Sequence, residues 1–262
     1  MTGRFTRALS ALTILFAATA PSTAFAHDVS VVPAVATARP DMPDPVGGAS
    51  IALALAKSTD FAFEIVRPEK PSGQTLVLLH GSGGNETSLV RLASRIAPHA
   101  TLLGIRGRVT QEGRTRWYKR LTPVSFDQDD VRAESDAFAS FLGRTALELG
   151  IDLNRTVFLG YSNGANLIAA TALLHPGLVR KAALLRPMSV LDRPPTPALA
   201  GASLLMIAGE ADRTYAPFAP ALEELFESCG AAVESRFIPS DHMIGEEDAR
   251  IVAEWLAAPS AQ

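Results

Sequence analysis

The segment Gly160-Tyr161-Ser162-Asn163-Gly164 sets one serine between two glycines, directly after the apolar run of residues 156–159. Residues 165–174 then follow in a small-residue helical pattern. A strand, a sharp turn and a helix in that order make a nucleophile elbow, which lifts a serine side chain above a sheet in a strained conformation that only small neighbours allow. Five residues of this form also occur by accident, so the remaining chemistry has to be found elsewhere in the chain. A serine hydroxyl is a poor nucleophile. It needs a base to take its proton, an acid to orient that base, and N–H donors for the charge that builds on the attacked carbonyl.

Each part has a candidate. His80-Gly81-Ser82-Gly83-Gly84 follows the apolar run 75–79, and a glycine-rich turn there can aim the backbone N–H of Ser82 at an oxyanion. The backbone N–H of Asn163 is the second candidate donor. Gly209-Glu210-Ala211-Asp212 closes the run 203–208 and offers Asp212 as the acid. Pro239-Ser240-Asp241-His242 follows the run 233–238 and offers His242 as the base. Serine, acid and histidine come in the chain order that elbow enzymes use. Other residues compete for these roles. Asp241 adjoins His242, but neighbouring side chains on one loop seldom meet in the required geometry, so Asp212 is the expected acid. Glu210 fits the spacing less well. His80 is expected to shape its turn, and Ser82 has no local base.

The elements that must position these residues are strands whose carboxyl ends share one edge. Residues 61–66 read as an edge strand, and 75–79, 100–105, 156–159, 181–185, 203–208 and 233–238 as further strands. Helical patterns cover 86–96, 129–149, 165–174, 217–228 and 248–257. Alternation of this kind predicts a mostly parallel sheet with helices on both faces. Ligands of such sheets bind beyond the carboxyl ends of the strands.

With those residues in view, the chain resembles the α/β-hydrolases. More narrowly it is similar to the phospholipase/carboxylesterase group, which includes small bacterial carboxylesterases and acyl-protein thioesterases. The turn from His80 to Gly84, the elbow from Gly160 to Gly164, the Gly209–Asp212 segment and the Asp241-His242 pair carry the resemblance, over roughly residues 60–258. Many group members have glutamine where this chain has Asn163, and the thioesterases usually have an apolar residue where it has Ser82. The resemblance implies a serine carboxylesterase; the polar Ser82 beside the expected oxyanion donors and the little chain available for a lid point to small, short-acyl esters as its substrates. A thioesterase, a dienelactone-hydrolase-like enzyme or a polyester depolymerase would use the same triad. A catalytically silent binding protein is a third class, against which the complete Ser162, Asp212 and His242 set argues. No cofactor or metal is expected.

Specificity is less legible. Arg106 and Arg186 each close a strand at the expected catalytic edge. They either grip a substrate carboxylate in bidentate fashion or pair with an acid such as Asp192 or Glu210. Trp117 and Tyr118 either wall an acyl pocket or pack their loop down. Residues 106–120 hold five arginines and one lysine and read as a loop or short hairpin. Little chain separates Ser162 from Asp212, so little or no lid is expected.

Composition is consistent with one such domain. The chain has 262 residues, 47% of them hydrophobic, and a net charge of −3, which argues against a nucleic-acid partner. The single cysteine, Cys229, cannot form an internal disulfide. Arg4 and Arg7, the apolar run 8–20 and Ala24-Phe25-Ala26 make an export signal over residues 1–26, with His27 as the first mature residue. Residues 27–58 read as a flexible, proline-rich leader before a domain over 59–262. The expected product is periplasmic or secreted, without a stable membrane anchor after cleavage, as a monomer or homodimer.

Overall fold

The structure, a computed structural model, describes residues 61–258. The export signal and leader expected over residues 1–58 lie outside the described residues. The chain order is β1 (Phe63–Val66), β2 (Thr75–Leu79), α1 (Val90–Ile96), β3 (Thr101–Ile105), β4 (Val109–Gln111), β5 (Arg114–Arg116), β6 (Arg120–Thr122), β7 (Ser125–Phe126) and α2 (Gln128–Leu149). Then come β8 (Thr156–Tyr161), α3 (Asn163–Leu174), β9 (Lys181–Leu185), β10 (Ser203–Gly209), α4 (Ala219–Ser228), β11 (Ala232–Ile238) and α5 (Glu246–Ala257). A seven-stranded sheet runs in the order β1-β3-β2-β8-β9-β10-β11. Only β1 is antiparallel to its neighbour; the other pairs are parallel.

The central strands are apolar on both faces because helices cover both. Alternate side chains divide between two cores. Val77, Leu79 and Phe158 pack against α2 and α3 through Phe138, Leu142 and Ile168. Leu76, Leu78, Val157 and Leu159 pack against α1 and α5 through Leu92, Ile96 and Val252. All four strands that precede a candidate residue are held in this parallel array, so their loops open on one edge.

Two local outcomes differ from the sequence reading. The helix expected from residue 86 starts at Val90. Asn85 Oδ1 accepts from Thr87 N at 3.0 Å and from the Thr87 and Ser88 hydroxyls, a side-chain-led turn that competes with helix formation. The basic stretch after β3 forms two hairpins, β4–β5 and β6–β7, rather than one. Gln111 joins them, its amide donating to Arg120 O at 2.7 Å and accepting from Arg120 N at 3.0 Å. These hairpins supply a wall at the edge where the candidate residues meet.

Candidate active site

Ser162 sits between β8 and α3 with φ 50° and ψ −114°. A non-glycine residue held there costs about 1–3 kcal/mol and persists only where its surroundings over-determine it. The surroundings are tight. A Cβ on Gly160 would come within 2.7 Å of Ala165 Cα, and one on Gly164 within 2.3 Å of Leu79 O. Ser162 N donates across the sheet to Leu185 O at 2.8 Å, and Asn166 N donates to Ser162 O at 2.9 Å. The turn is thus fixed from β9 on one side and by the first turn of α3 on the other.

The three residues singled out as catalytic converge. His242 Nε2 lies 2.9 Å from Ser162 Oγ, and His242 Nδ1 lies 2.6 Å from Asp212 Oδ2. The other carboxylate oxygen of Asp212 accepts from Thr214 N at 3.2 Å and Tyr215 N at 3.1 Å. The backbone therefore fixes the buried acid before it meets the histidine. With Nδ1–H donated to Asp212, Nε2 is left to accept the Ser162 hydroxyl proton. Asp241 is exposed and caps its own loop, accepting from Met243 N at 2.8 Å. Glu210 is exposed as well. Two tyrosines flank the histidine, Tyr161 from the elbow itself and Tyr215 from a segment that no sequence motif singles out. The Tyr215 and Tyr161 rings lie 4.7 Å and 5.6 Å from its centroid, and Tyr161 Oη donates to His242 O at 3.1 Å.

Arg186 borders the cleft over Ser162, but its guanidinium turns into the protein, and its acid is neither Asp192 nor Glu210. Its side chain is fully buried against Asp248, at 2.7 Å and 3.1 Å. Nε donates to Asp241 O at 3.0 Å, and Nη2 reaches Met243 O at 2.8 Å and Ser240 Oγ at 2.9 Å. The residues on either side of His242 are therefore tied to one guanidinium, whose donors are consumed within the protein. Arg186→Lys keeps the charge but not the fork. We expect its ester turnover to fall by about 10-fold or more in kcat with little change in KM, because His242 loses its fixed approach. Arg186→Ala leaves Asp248 unpaired in the core, at a cost of about 3–5 kcal/mol. Melting temperatures and kcat measured together check this. Full turnover in a destabilised Lys variant would confine Arg186 to holding the fold.

The turn after β2 is equally fixed. His80 is 1% exposed, with Nδ1 2.7 Å from Gly81 O and Nε2 accepting from Gly107 N at 3.0 Å. Burial holds its pKa below the ordinary histidine value, which keeps Nε2 free to accept. Trp117 is buried too. Its Nε1 donates to His80 O at 2.8 Å and its backbone N donates to Asn163 Oδ1 at 2.8 Å. Trp117 thus packs its loop down rather than walling a pocket. The Asn163 side chain is engaged in that contact, so its backbone N–H, at the start of α3, is the group left to face a ligand. Neither it nor Ser82 N carries a hydrogen bond to another described residue.

A small cleft opens over Ser162. Ser82 and Asn163 border it, with Tyr118, Arg116, Arg120 and Phe126 from the hairpins and Met188 and Tyr215 from later loops. Tyr118 therefore does form a wall, one of the two alternatives open to it in the sequence. Its buried hydroxyl faces the Asn166 and Asn163 amides without hydrogen-bond geometry, and burial raises its pKa. Arg106 is absent from this lining. It lies at the surface and pairs through Nε and Nη2 with Glu86. Arg116 and Arg120, which do line the cleft, belong to the basic stretch, where no motif sets them apart from their neighbours. Among the described residues, no group of three or more His, Cys, Asp or Glu side chains is placed to hold a metal ion.

A serine aligned on a histidine and a buried acid, beside unengaged backbone N–H groups, can attack a carbonyl carbon and hold the resulting charge. The sequence profile of the phospholipase/carboxylesterase family matches residues 61–257. The putative hydrolase MhqD of Bacillus subtilis (strain 168) is 35% identical over 188 residues, spanning 70% of this chain and 92% of that protein. Among solved structures, a carboxylesterase from Mesorhizobium loti is 51% identical with a TM-score of 0.75, covering 80% of this chain and 99% of its own. The Bacillus cereus carboxylesterase is 31% identical with a TM-score of 0.70, covering 74% and 92%. The chain belongs to the phospholipase/carboxylesterase family of α/β-hydrolases and is an ester hydrolase.

Proposed function

We propose that the chain is a serine carboxylesterase that cleaves small, short-acyl esters through an acyl-enzyme intermediate. The observation that carries this reading is the double engagement of His242, by Ser162 Oγ at 2.9 Å and by Asp212 Oδ2 at 2.6 Å. His242 Nε2 takes the hydroxyl proton as Ser162 Oγ bonds to the ester carbon. The carbonyl electrons move onto oxygen, where the N–H groups of Ser82 and Asn163 receive them. Each such donor is worth about 3 kcal/mol in the transition state. As the carbonyl re-forms, the C–O bond to the alcohol breaks and His242 returns the proton to that oxygen. Water then repeats the sequence on the acyl-enzyme, releasing the acid and restoring Ser162. Asp212 holds the imidazole in the needed tautomer and stabilises its charged form.

Substrate size follows from the cleft. The cleft is shallow, and Ser82, Arg116, Arg120, Asn163 and Asn166 make much of its lining polar. Selectivity for long chains needs depth, because each buried methylene contributes only about 0.8 kcal/mol. Arginines and amides on the walls give a long chain little apolar surface. The test is kcat/KM across 4-nitrophenyl esters of increasing chain length, with a matched thioester. Turnover is expected to be best at about C2 to C6. A maximum at about C12 or beyond, or a marked preference for the thioester, would overturn this reading.

A further inference from the structure

The basic segment after β3 holds arginines that the proposed chemistry does not use. Two of them carry a carboxylate on the edge formed by Nε and Nη2. Arg106 holds Glu86 in this way, and Arg108 holds Glu134 at 2.7 Å and 3.1 Å. Among the described residues Arg116 has no such partner. It is 2% exposed, and its Nε is buried without a hydrogen bond. Its side chain makes one hydrogen bond among the described residues, from Nη1 to Ser82 Oγ at 3.0 Å. That bond leaves Nη2 without a partner among the described residues, on a side chain that lines the cleft. Glu112 acts on Arg116 only through space, while Arg120, lining the same cleft, adds a second positive charge. Burial first, and then Arg120, make the charged form of Arg116 less favourable than usual, yet an arginine does not give up its proton in a protein. A buried cation beside a like charge is costly unless an anion joins it.

We propose that Arg116 is the carboxylate-recognising residue of the cleft, so that the preferred substrates are esters carrying a free carboxylate. This deepens the esterase reading above and rests on it. From the cleft wall, Nη2 of Arg116 can donate a charge-assisted hydrogen bond to a carboxylate, the strong kind of contact that arginine makes with carboxylates elsewhere in this segment. Its link to Ser82 sets the charge beside the turn that faces the scissile carbonyl, which favours a short acidic arm. Arg120 adds long-range attraction, and Phe126 and Met188 offer apolar wall to the intervening methylenes.

The test compares the 4-nitrophenyl monoester of glutaric acid with its neutral amide analogue, on wild type, Arg116→Gln, Arg116→Lys and Arg120→Gln. Wild type is expected to prefer the acid. Arg116→Gln should collapse the acid-to-amide ratio of kcat/KM by about 100-fold, mainly through KM, since hydrogen bonds to charged groups are the strong ones. Arg116→Lys should keep part of the preference, and Arg120→Gln should lose less than Arg116→Gln. Equal losses on both esters would assign Arg116 to the oxyanion or to the fold and overturn the proposal. So would a wild type that ignores the carboxylate. If Arg116→Gln does not fold, the wild-type preference decides, together with inhibition by free glutarate against glutaramide. Calorimetric binding of glutarate needs no turnover. If a fluorophosphonate fails to label Ser162 and neither ester is cleaved, the esterase reading has failed. Labelling without acid preference or glutarate binding is a failure of Arg116 alone.

Discussion

Ser162→Ala is expected to abolish ester turnover and fluorophosphonate labelling, with a loss on the order of a million-fold in kcat, as for other triad serines. The size of the effect follows from the geometry. Ser162 Oγ is the atom that His242 addresses at 2.9 Å, and the family comparison places this chain among ester hydrolases. Removing it strips the base of its task, leaving only what the N–H donors and substrate binding provide. The fold should be retained. Alanine has to accept φ 50° and ψ −114° as serine does, and the glycines that make room for the turn are untouched. Among the described residues, the side-chain hydrogen bond lost is the one to His242. Melting curves for the two proteins should therefore nearly coincide while activity separates them. A variant that labels at full stoichiometry would remove Ser162 from the chemistry altogether.

The proposed triad is legible in the sequence because each member lies within four residues of a strand end, and apolar runs of that length are easy to find. Asp212 and His242 follow β10 and β11 by three and four residues. In a parallel sheet, knowing which strand a residue follows is enough to place it on the catalytic edge. The walls of the cleft obey no such rule. In residues 114–120 each side chain's direction depends on hairpin register, and register depends on contacts such as Gln111 to Arg120. Alternation across that segment turns Trp117 away from the cleft that Arg116 and Tyr118 line, although Tyr118 is as fully buried in the core as Trp117. Six basic residues within a stretch of fifteen give no means of telling which are paired.

Arg186 is hidden for a related reason. Its position at the end of β9 suggests a contact with substrate, but its acid, Asp248, lies 62 residues away on α5. Only the docking of α5 against the sheet brings the two together. The same docking explains how a histidine on an irregular loop keeps its aim. The loop is fastened through Asp241 O and Met243 O to one buried ion pair, while Tyr161 Oη holds the carbonyl of His242 itself. Precision at His242 thus comes from distant core residues rather than from the loop's own sequence. Adjacency in sequence says nothing about which acid the packed loop presents: the imidazole meets Asp212, while Asp241 turns to Met243 N.

Asp212→Asn is expected to lower kcat by about 10⁴-fold, while Asp241→Asn leaves it within about 2-fold. The first substitution changes one atom that His242 Nδ1 addresses at 2.6 Å. Asparagine can keep its carbonyl oxygen towards Thr214 N and Tyr215 N, where Asp212 now accepts at 3.2 Å and 3.1 Å. Its amide then points at the imidazole as a donor. His242 must answer with an unprotonated Nδ1, which moves its proton to Nε2, the nitrogen that has to accept from Ser162. The geometry survives and the tautomer is wrong. At Asp241 the same change preserves the contact in use, since an asparagine oxygen accepts from Met243 N as well as a carboxylate does. Its exposure also makes the lost charge of small consequence. Measuring kcat for both variants on one short ester, with melting temperatures as the control for folding, separates the two acids. Equal losses, or a larger loss at Asp241, would reverse the assignment.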